Sequence, residues 1–218
     1  MRAAIIGHGE IRPSAALRRM LRQADLIVCA DGGVQAALAL RVPPHVVIGD
    51  LDSTRPRALL WARRRGATVL RFPVGKDQTD TELATDYALD AGATEIDYVG
   101  VLGGRIDHAL ANIGLLTRAA ARHCRARILD GHTGIFLADR HTLVNGAPGD
   151  QVSLVPLSER VEGVTLRGLK YPLSNGTLSI DSTLGVSNEI VKPPATIRVR
   201  RGSLLVIVTH RRARNSRS

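Results

Sequence analysis

The sequence predicts an α/β domain with a mostly parallel sheet and flanking helices, followed by a small all-β sandwich domain. Up to about residue 131, short apolar runs alternate with helical stretches, which is the pattern of repeated βα units. Beyond that point the helical periodicity ends, and short β-rich runs follow, separated by Gly, Pro, Asn and Asp. We therefore expect an α/β domain over residues 1–131, a sandwich over 132–210 and a disordered basic tail over 211–218.

The first domain is predicted from its apolar runs and the helical stretches between them. The runs expected to form strands are 3–6, 26–30, 46–48, 67–72, 96–102 and 126–130. Helices are expected at 15–22, 34–40, 56–65, 80–91 and 106–119. Ser14 suits the N-cap of the first helix, Pro56 suits the first turn of the third, and Thr79 followed by Glu82 has the spacing of a capping box. The last helix is expected to bury one apolar face, made of Ile106, Leu110, Ile113 and Leu116.

The second domain is predicted from β-rich runs at 134–138, 141–144, 151–156, 161–166, 177–181, 195–200 and 203–209. Asn-Gly pairs are strong turn formers because both residue types accept a positive φ. Such pairs occur at Asn145-Gly146 and Asn175-Gly176, and we expect a turn at each.

Composition argues against several classes of protein. The net charge of +10 suggests nucleic acid, but four of the basic residues lie in 211–218, the rest are dispersed, and aromatic residues make up only 3%. No apolar run is long enough for a membrane span, and the amino-terminal residues lack a secretory pattern. Cys29 and Cys124 fit neither a metal spacing nor a disulfide framework. We expect a cytoplasmic protein that binds neither nucleic acid nor membrane.

Acidic residues follow two of the predicted strands. Asp50 and Asp52 come directly after the run 46–48, and Asp80 follows the next strand with Lys76 beside it. Carboxylate oxygens are the ligands that Mg²⁺ prefers, and Lys76 could neutralise a phosphate. The alternative interpretation is ordinary turn and helix capping by these acids and Thr79, with Lys76 as a solvated charge.

Glycine-rich turns follow other strands. Gly103-Gly104-Arg105 precedes a helix, where backbone amides and the guanidinium could hold a phosphate, with Asp107 orienting Arg105 or a metal-bound water and His108 capping the helix. Asp31-Gly32-Gly33 could accept a ribose hydroxyl or a base and admit a nucleotide. Each cluster alone is weak, since turns use glycine everywhere.

The clusters gain weight together because each falls at the carboxyl end of its strand, and parallel strands bring these ends to one sheet edge. Acids, basic groups and glycine amides at one edge favour metal-assisted chemistry on a nucleotide. The phosphate loop of the common NTPases and the Gly-x-Ser-x-Gly elbow of hydrolases are both missing from the sequence.

The ordered set of motifs resembles the thiamine pyrophosphokinase (thiamine diphosphokinase) family over about residues 26–208. The residues that carry the resemblance are Asp31-Gly32-Gly33, Gly49-Asp50-Leu51-Asp52-Ser53, Lys76-Asp77-Gln78-Thr79-Asp80 with Glu82, Leu102-Gly103-Gly104-Arg105-Ile106-Asp107-His108 with Asn112, Tyr171-Pro172-Leu173 and Gly185-Val186-Ser187-Asn188-Glu189. It implies transfer of the β,γ-pyrophosphoryl group of ATP to the thiamine hydroxyl, giving AMP and thiamine diphosphate. It also implies a homodimer whose active site is shared between the first domain of one chain and the β domain of the other.

The resemblance also implies roles for individual residues. Mg²⁺ would be held by Asp50, Asp52 and Asp80. Lys76 and Arg105 would stabilise the transferring group, and either Asp77 or Asp107 would position the hydroxyl. ATP, the co-substrate, would contact Asp31, Gly32, Gly33, Ser53, Gly103, Gly104, Arg105 and His108. Thiamine would contact Asp77, Thr79, Ser187 and Asn188.

Two other functions stay open at this point. A divalent-metal-dependent phosphohydrolase could use the same acids, with Asp107-His108 in its metal site, and would release phosphate from a nucleotide without an acceptor. A non-catalytic nucleotide- or RNA-binding module could use the excess of arginine, and its binding would fall steeply with salt.

Overall fold

The computed structural model describes residues 1–211, and the chain divides into two compact units, Met1–Gly131 and His132–Ser218. Residues 212–218 of the predicted tail lie outside the described residues. Arg211, the first residue of that predicted tail, donates its backbone N–H to Asp150 Oδ1 at 2.9 Å, so it is fixed to the second unit. No helix of the described part is long and apolar enough to cross a membrane.

The first unit is built on a parallel sheet. Its strands are β1 (Arg2–Ile6), β2 (Leu26–Ala30), β3 (Val46–Gly49), β4 (Thr68–Arg71), β5 (Glu95–Val99) and β6 (Arg125–Asp130). They pair in the order β4-β3-β2-β1-β5-β6, all parallel. The strand order reverses at β1, so the chain builds outward on one side of β1 and then on the other. A reversal of this kind leaves a crevice beyond the carboxyl ends of the two strands involved, β1 and β5.

Five helices cover the two faces of this sheet: α1 (Ala15–Arg22), α2 (Gly33–Leu40), α3 (Pro56–Arg64), α4 (Asp80–Asp90) and α5 (Ile106–Ala121). Leu21, Val34 and Ala62, from α1, α2 and α3, share one buried cluster with side chains of β1–β3 and β5. On the other face α4 packs against β1–β3, and Thr85 hydrogen-bonds the buried Tyr98 hydroxyl at 3.0 Å. The sheet is therefore buried on both faces, as the apolar runs predicted.

The helix starts follow the expected capping chemistry. Ser14 accepts a hydrogen bond from Leu17 N at 3.0 Å, and Pro56 occupies the first turn of α3. Thr79 Oγ1 accepts from Glu82 N at 3.2 Å, which satisfies a donor that the first turn of α4 would otherwise leave unpaired.

Two predictions for this unit are wrong in part. Strand β5 ends at Val99 rather than at residue 102, because Gly100 takes a φ of 65° and turns the chain out of the sheet. The apolar face predicted for α5 is buried only in its later turns: Leu116 is buried, whereas Ile106 and Leu110 are 80% and 66% exposed. The buried positions of α5 begin at Asn112, so the first turns of the helix extend past the part that packs.

The second unit is a sandwich of two antiparallel sheets. One has the order β12-β9-β14-β7 and the other β11-β10-β13-β8. The strands are β7 (Thr133–Leu137), β8 (His141–Val144), β9 (Gln151–Pro156), β10 (Arg160–Arg167), β11 (Leu173–Ser179), β12 (Asn188–Glu189), β13 (Ala195–Arg198) and β14 (Leu204–Thr209). Inward side chains of both sheets, such as Leu154, Ile197 and Val206, form one buried core. The predicted all-β sandwich is confirmed.

One turn prediction in this unit is wrong. Asn175-Gly176 lies inside β11 rather than between strands. The register with β10 shifts there, Asn175 takes a φ of 50°, and its N–H donates to Thr165 Oγ1 at 3.1 Å. The positive φ that the pair favours is used in a β-bulge, which the sequence does not distinguish from a hairpin turn. Asn145-Gly146 lies in the connection between β8 and β9, and the short strand β12 was not predicted.

Candidate active site

Three carboxylates meet at the carboxyl ends of β2 and β3. Asp31, Asp50 and Asp52 each offer an oxygen, and these oxygens lie within 4.8 Å of one another. Asp31 directly follows β2, has a φ of 43° and donates its N–H to Ile48 O at 2.8 Å, which keeps it against the neighbouring strand. The parallel pairing of β2 with β3 therefore brings the acids together, as sheet topology requires.

The turn after β3 fixes the orientation of its two acids. Asp50 Oδ1 accepts from Asp52 N at 3.1 Å, and Asp52 Oδ1 accepts from the Ser53 hydroxyl at 3.0 Å. The hydrogen bond from the Asp52 N–H, with the charge of Lys76 in support, holds the pKa of Asp50 below its ordinary value. Leu51 takes a φ of 68°, an unusual conformation for a bulky residue and a marker of a turn held by its surroundings.

Asp80 and Lys76 lie beside this turn. Lys76 Nζ is 2.9 Å from Asp80 Oδ1 and 3.4 Å from Asp50 Oδ2, so one ammonium joins the two carboxylates. Burial raises the pKa of Asp80, Asp50 and Asp31 add to the rise, and Lys76 opposes it. Burial alone would lower the pKa of Lys76, but pairing with Asp80 and Asp50 raises it.

Glycine at position 49 allows the Asp80 carboxylate to lie close to the turn that follows β3. Its φ is 147°, and a Cβ there would lie 2.9 Å from the Asp80 carboxyl carbon and 3.2 Å from Asp31 Cβ. The compact group of three acids contains Asp31 in place of the predicted Asp80, and Asp80 adjoins the group through Lys76. Coordination by Asp80 stays a prediction.

Three residues near these acids were not identified from the sequence. Thr54 Oγ1 donates to Asp31 Oδ1 at 2.9 Å, and Gln35 Nε2 donates to Ser53 O at 2.8 Å, so both brace the acidic turn. The His8 ring lies against Gly32, where an added Cβ would meet it at 2.5 Å. Bracing of this kind depends on contacts distant in sequence, which no local motif encodes.

The glycines that precede α2 have a packing role. A Cβ on Gly33 would lie 1.9 Å from Ile6 O, so Gly33 permits close contact between α2 and β1. That contact explains why position 33 is glycine, with no need for a bound nucleotide. The contact with the His8 ring explains in the same way why position 32 is glycine. Nucleotide binding by these two residues stays a prediction.

The Gly103-Gly104 turn differs from the glycines before α2, because open space surrounds it. Both residues have positive φ, 93° and 71°, and a Cβ on either would meet nothing within 4 Å. Glycine is therefore required there by backbone conformation. Arg105 pairs with Asp107 at 2.5 Å rather than with the acidic group, and both side chains are exposed, as is His108. The hydrogen bond from Arg105 lowers the pKa of Asp107.

The segment before α4 is tied to α5 by a polar network that no local sequence motif predicts. Gln78 Nε2 donates to Glu82 Oε1 at 3.2 Å and to Asp86 Oδ2 at 2.9 Å. Arg118 reaches the same two acids, with its Nε 2.6 Å from Asp86 Oδ1. The network holds the start of α4, and hence Asp80, while the adjoining Asp77 is exposed.

The predicted substrate residues of the second unit have distinct environments. Asn188 is buried, and its side chain accepts from Tyr171 N at 3.0 Å and donates to Tyr171 O at 2.8 Å. The amide thus fixes the backbone of Tyr171, whose ring is exposed. Ser187 is exposed, has a φ of 60° and donates its N–H to Ser153 Oγ at 3.0 Å. Direct contact of Ser187 or Asn188 with a substrate stays a prediction.

Comparison with known proteins agrees with this architecture. The family model for the thiamin pyrophosphokinase catalytic domain matches residues 17–128, and the model for the thiamin pyrophosphokinase vitamin B1 binding domain matches residues 140–204. Thiamine pyrophosphokinase of Bacillus subtilis is 31% identical over 184 residues, covering 84% of this chain and 86% of that protein.

Solved structures agree over nearly the whole length. The crystal structure of thiamine pyrophosphokinase from Bacillus subtilis superposes with a TM-score of 0.87 at 28% identity, covering 96% of this chain and 99% of the other. That of thiamin pyrophosphokinase from Geobacillus thermodenitrificans gives a TM-score of 0.82 at 29% identity, covering 99% of each chain. The fold and these matches define a pyrophosphotransferase. The chain belongs to the thiamine pyrophosphokinase family, whose members use ATP and a divalent metal.

Proposed function

We propose that this protein transfers the β,γ-pyrophosphoryl group of ATP to the hydroxyl of thiamine, with Mg²⁺ as the divalent ion. The observation that carries the proposal is the convergence of Asp31, Asp50 and Asp52 beside Lys76 in a chain of this family. The hydroxyl oxygen forms a bond to the β-phosphorus, the bond from that phosphorus to the α,β-bridging oxygen breaks, and AMP leaves. The hydroxyl proton passes to a base.

The donor set fits Mg²⁺. It consists of carboxylate oxygens, which are hard ligands, and it comes from the ends of two strands rather than from a closed cage. Asp50 and Asp52 would hold the ion, with Asp31 and Asp80 adjoining them. When bound, the ion would neutralise charge on the phosphates. Thr54 and Gln35 keep the acidic turn in place through their hydrogen bonds to Asp31 and to the Ser53 carbonyl.

Basic groups and free amides would meet the transferring phosphates. Lys76 is held between Asp50 and Asp80 and carries a firmly positive charge, because these partners raise its pKa. Arg105 is exposed and bonded only to its near neighbour Asp107 among described residues, so it is free to turn toward a polyanion. The open Gly103-Gly104 turn leaves room for phosphate oxygens at backbone N–H groups.

Asp77 is the better candidate to accept the hydroxyl proton. Asp107 is paired with Arg105, and the resulting drop in its pKa makes it a weaker base. Asp77 is exposed in the segment between Lys76 and the start of α4. Thr79 caps α4 with its side chain, which favours a structural role there over contact with thiamine.

We also propose that two copies of the chain assemble, with thiamine bound by the second unit. The second unit exposes Tyr171, Ile180, Leu184 and Val186, each at least 49% accessible, around the segment that holds Ser187. Exposed apolar side chains grouped in this way are typical of binding surfaces. Free, buried Cys29 and Cys124 support a cytoplasmic, reducing location.

The experiment mixes purified protein with ATP, Mg²⁺ and thiamine and measures AMP and thiamine diphosphate by chromatography. AMP that forms only when thiamine is present supports the transfer. Phosphate release without thiamine would instead support the phosphohydrolase, which the family membership does not favour. Asp50→Asn should reduce turnover at least about 10²-fold, because it removes a charge placed for the ion. Asp90→Asn, at the far end of α4, is the matched control and should leave turnover unchanged.

A further inference from the structure

The second unit contains a cavity whose lining includes none of the motif residues described above. Its volume is about 380 Å³, within the range of small-molecule sites. It lies on the outward face of the sheet β11-β10-β13-β8, between the strands and the connection that precedes β13. Its lining is His141, Thr165, Arg167, Gly168, Lys192, Pro193, Pro194, Thr196 and Arg198.

Strand register places the charged groups of the cavity. Arg198 on β13 lies opposite Thr165 on β10 and opposite His141 on β8. Arg167 lies opposite Thr196, two residues along β13, so Arg167 and Arg198 are diagonal neighbours on one face. Two guanidiniums so placed repel each other unless an anion lies between them.

The far wall is held in position by backbone contacts. Gly168 O accepts from Val191 N at 2.9 Å and from Lys192 N at 3.0 Å. Gly168 itself has a φ of 75°, and a Cβ there would lie 2.4 Å from Lys192 O, so glycine is needed for this approach. The connection that carries Lys192 is thereby fixed at the edge of the sheet.

No acid balances this charge. The lining contains no Asp or Glu, and within residues 1–211 none of Arg167, Lys192 and Arg198 forms an ion pair. Other arginines of the unit do find partners, as Arg200 does with Glu162. Lys170, close in sequence, pairs with Glu189. The cavity is therefore a concave cationic surface with threonine hydroxyls and no internal counter-charge.

We propose that this cavity binds a small phosphate-bearing anion, of the diphosphate class, separately from the acidic site of the first unit. Arginine pairs grip phosphate oxygens bidentately, and Lys192 adds a third positive charge. The cavity volume suits a diphosphate rather than a nucleic-acid strand, and its lining contains no Phe, Tyr or Trp on which a base could stack. Inorganic pyrophosphate and the diphosphate of an organic ester share this chemistry.

The test is a titration of the ¹⁵N-labelled full chain with inorganic pyrophosphate, without divalent metal and in about 0.15 M salt. Backbone amide signals of Thr165, Gly168 and Thr196 report this cavity alone, so binding at the acidic site does not interfere. We expect saturable shifts at these amides below about 10 mM. Arg167→Gln with Arg198→Gln should raise the Kd about tenfold or more. Arg160→Gln, on the same strand but outside the cavity, should leave the Kd unchanged.

Further ligands distinguish inorganic pyrophosphate from an organic diphosphate ester, and both from a nucleic-acid strand. Thiamine diphosphate in place of pyrophosphate shows whether an organic ester is accepted, and inorganic phosphate shows whether one phosphate suffices; shifts with either support the site. No saturable shift with pyrophosphate, or equal affinity in the double variant and Arg160→Gln, overturns the proposal. Tighter binding of a single-stranded oligonucleotide than of pyrophosphate overturns it also. If the double variant does not fold, Lys192→Gln replaces it with the same criteria.

Discussion

Asp150 is the residue whose loss should destabilise the second unit most clearly. It is 4% exposed and accepts three hydrogen bonds: from Ala147 N at 3.0 Å, from Arg211 N at 2.9 Å and from His210 Nδ1 at 2.7 Å. These bonds tie the connection before β9 to the end of β14. Asp150→Ala removes them all and leaves donors that had been paired with a charge.

The cost follows from which donors can find water. A hydrogen bond to a charged group contributes about 1.5–3 kcal/mol. The His210 side chain is 50% exposed, so it regains water when Asp150 is lost, and Arg211 is also exposed. Ala147 is exposed as well, so all three donors regain water, and we expect a total loss of about 2–4 kcal/mol from the three hydrogen bonds.

The hydrogen bonds also make the effect depend on pH. Burial alone would raise the pKa of Asp150, but the bonds from His210 and the two backbone N–H groups outweigh it and lower the pKa. A lowered pKa contributes stability that is present above the unfolded value, about 3.9 for Asp, and is lost as pH falls through the folded value. The difference between wild type and Asp150→Ala should therefore be full at neutral pH and shrink below about pH 4.

Urea unfolding followed by circular dichroism measures this difference at several pH values. Glu159→Ala, an exposed acid of the same unit, is the control and should change stability by less than about 0.5 kcal/mol. An unchanged midpoint for Asp150→Ala at neutral pH, or a deficit that grows on acidification, would refute the reasoning.

Three further predictions concern the first unit. Asp97→Ala breaks a buried carboxylate's ion pairs with two arginines and should cost about 3 kcal/mol in urea unfolding. Gly33→Ala forces a Cβ within 1.9 Å of a carbonyl oxygen and should cost more than about 2 kcal/mol, whereas Gly114→Ala on α5 meets nothing and should stabilise by about 0.5–1 kcal/mol. Lys76→Met should lower kcat about 10²-fold, and it should shift the acid limb of the kcat profile to higher pH, because the ammonium no longer opposes the rise in the pKa of Asp80.

Controls separate these effects from general damage. For Asp97 the comparison is Glu95→Ala, whose ion pair with Arg125 is at the surface and should be worth under about 1 kcal/mol. Equal losses in the two would contradict the role of burial. Equal stability of the two glycine variants would contradict the packing argument for α2. For Lys76→Met, an acid limb that stays in place would show that the ammonium does not govern Asp80.

Local sequence patterns predicted most of the helices and strands. Runs of apolar residues located every strand of the first unit, and capping residues such as Ser14 and Thr79 located helix starts, because these features depend on neighbours in sequence. The end of β5 and the exposed first turns of α5 were missed because they depend on where the sheet stops, not on the pattern of residues. The bulge at Asn175 was missed because a positive φ serves a bulge and a turn equally.

The candidate site was predictable in place but not in detail. That the acids gather at one edge follows from parallel pairing, and the structure brings Asp50 and Asp52 together with Asp31. That Asp31 joins this group depends on its positive φ and on Thr54, which are set by tertiary contacts. Gly33 is constrained by its packing against Ile6 O, and a Gly-Gly pair in the sequence does not indicate this contact.

The way in which Asn188 holds Tyr171 has a consequence for substitutions in the second unit. Both hydrogen bonds go to the main chain of Tyr171, so they would form equally with any side chain at that position. The aromatic ring can therefore be exchanged for another shape while its Cα stays where it is. Replacing the ring at position 171 should therefore leave the main chain in place, whereas Asn188→Ala would remove both hydrogen bonds that hold it.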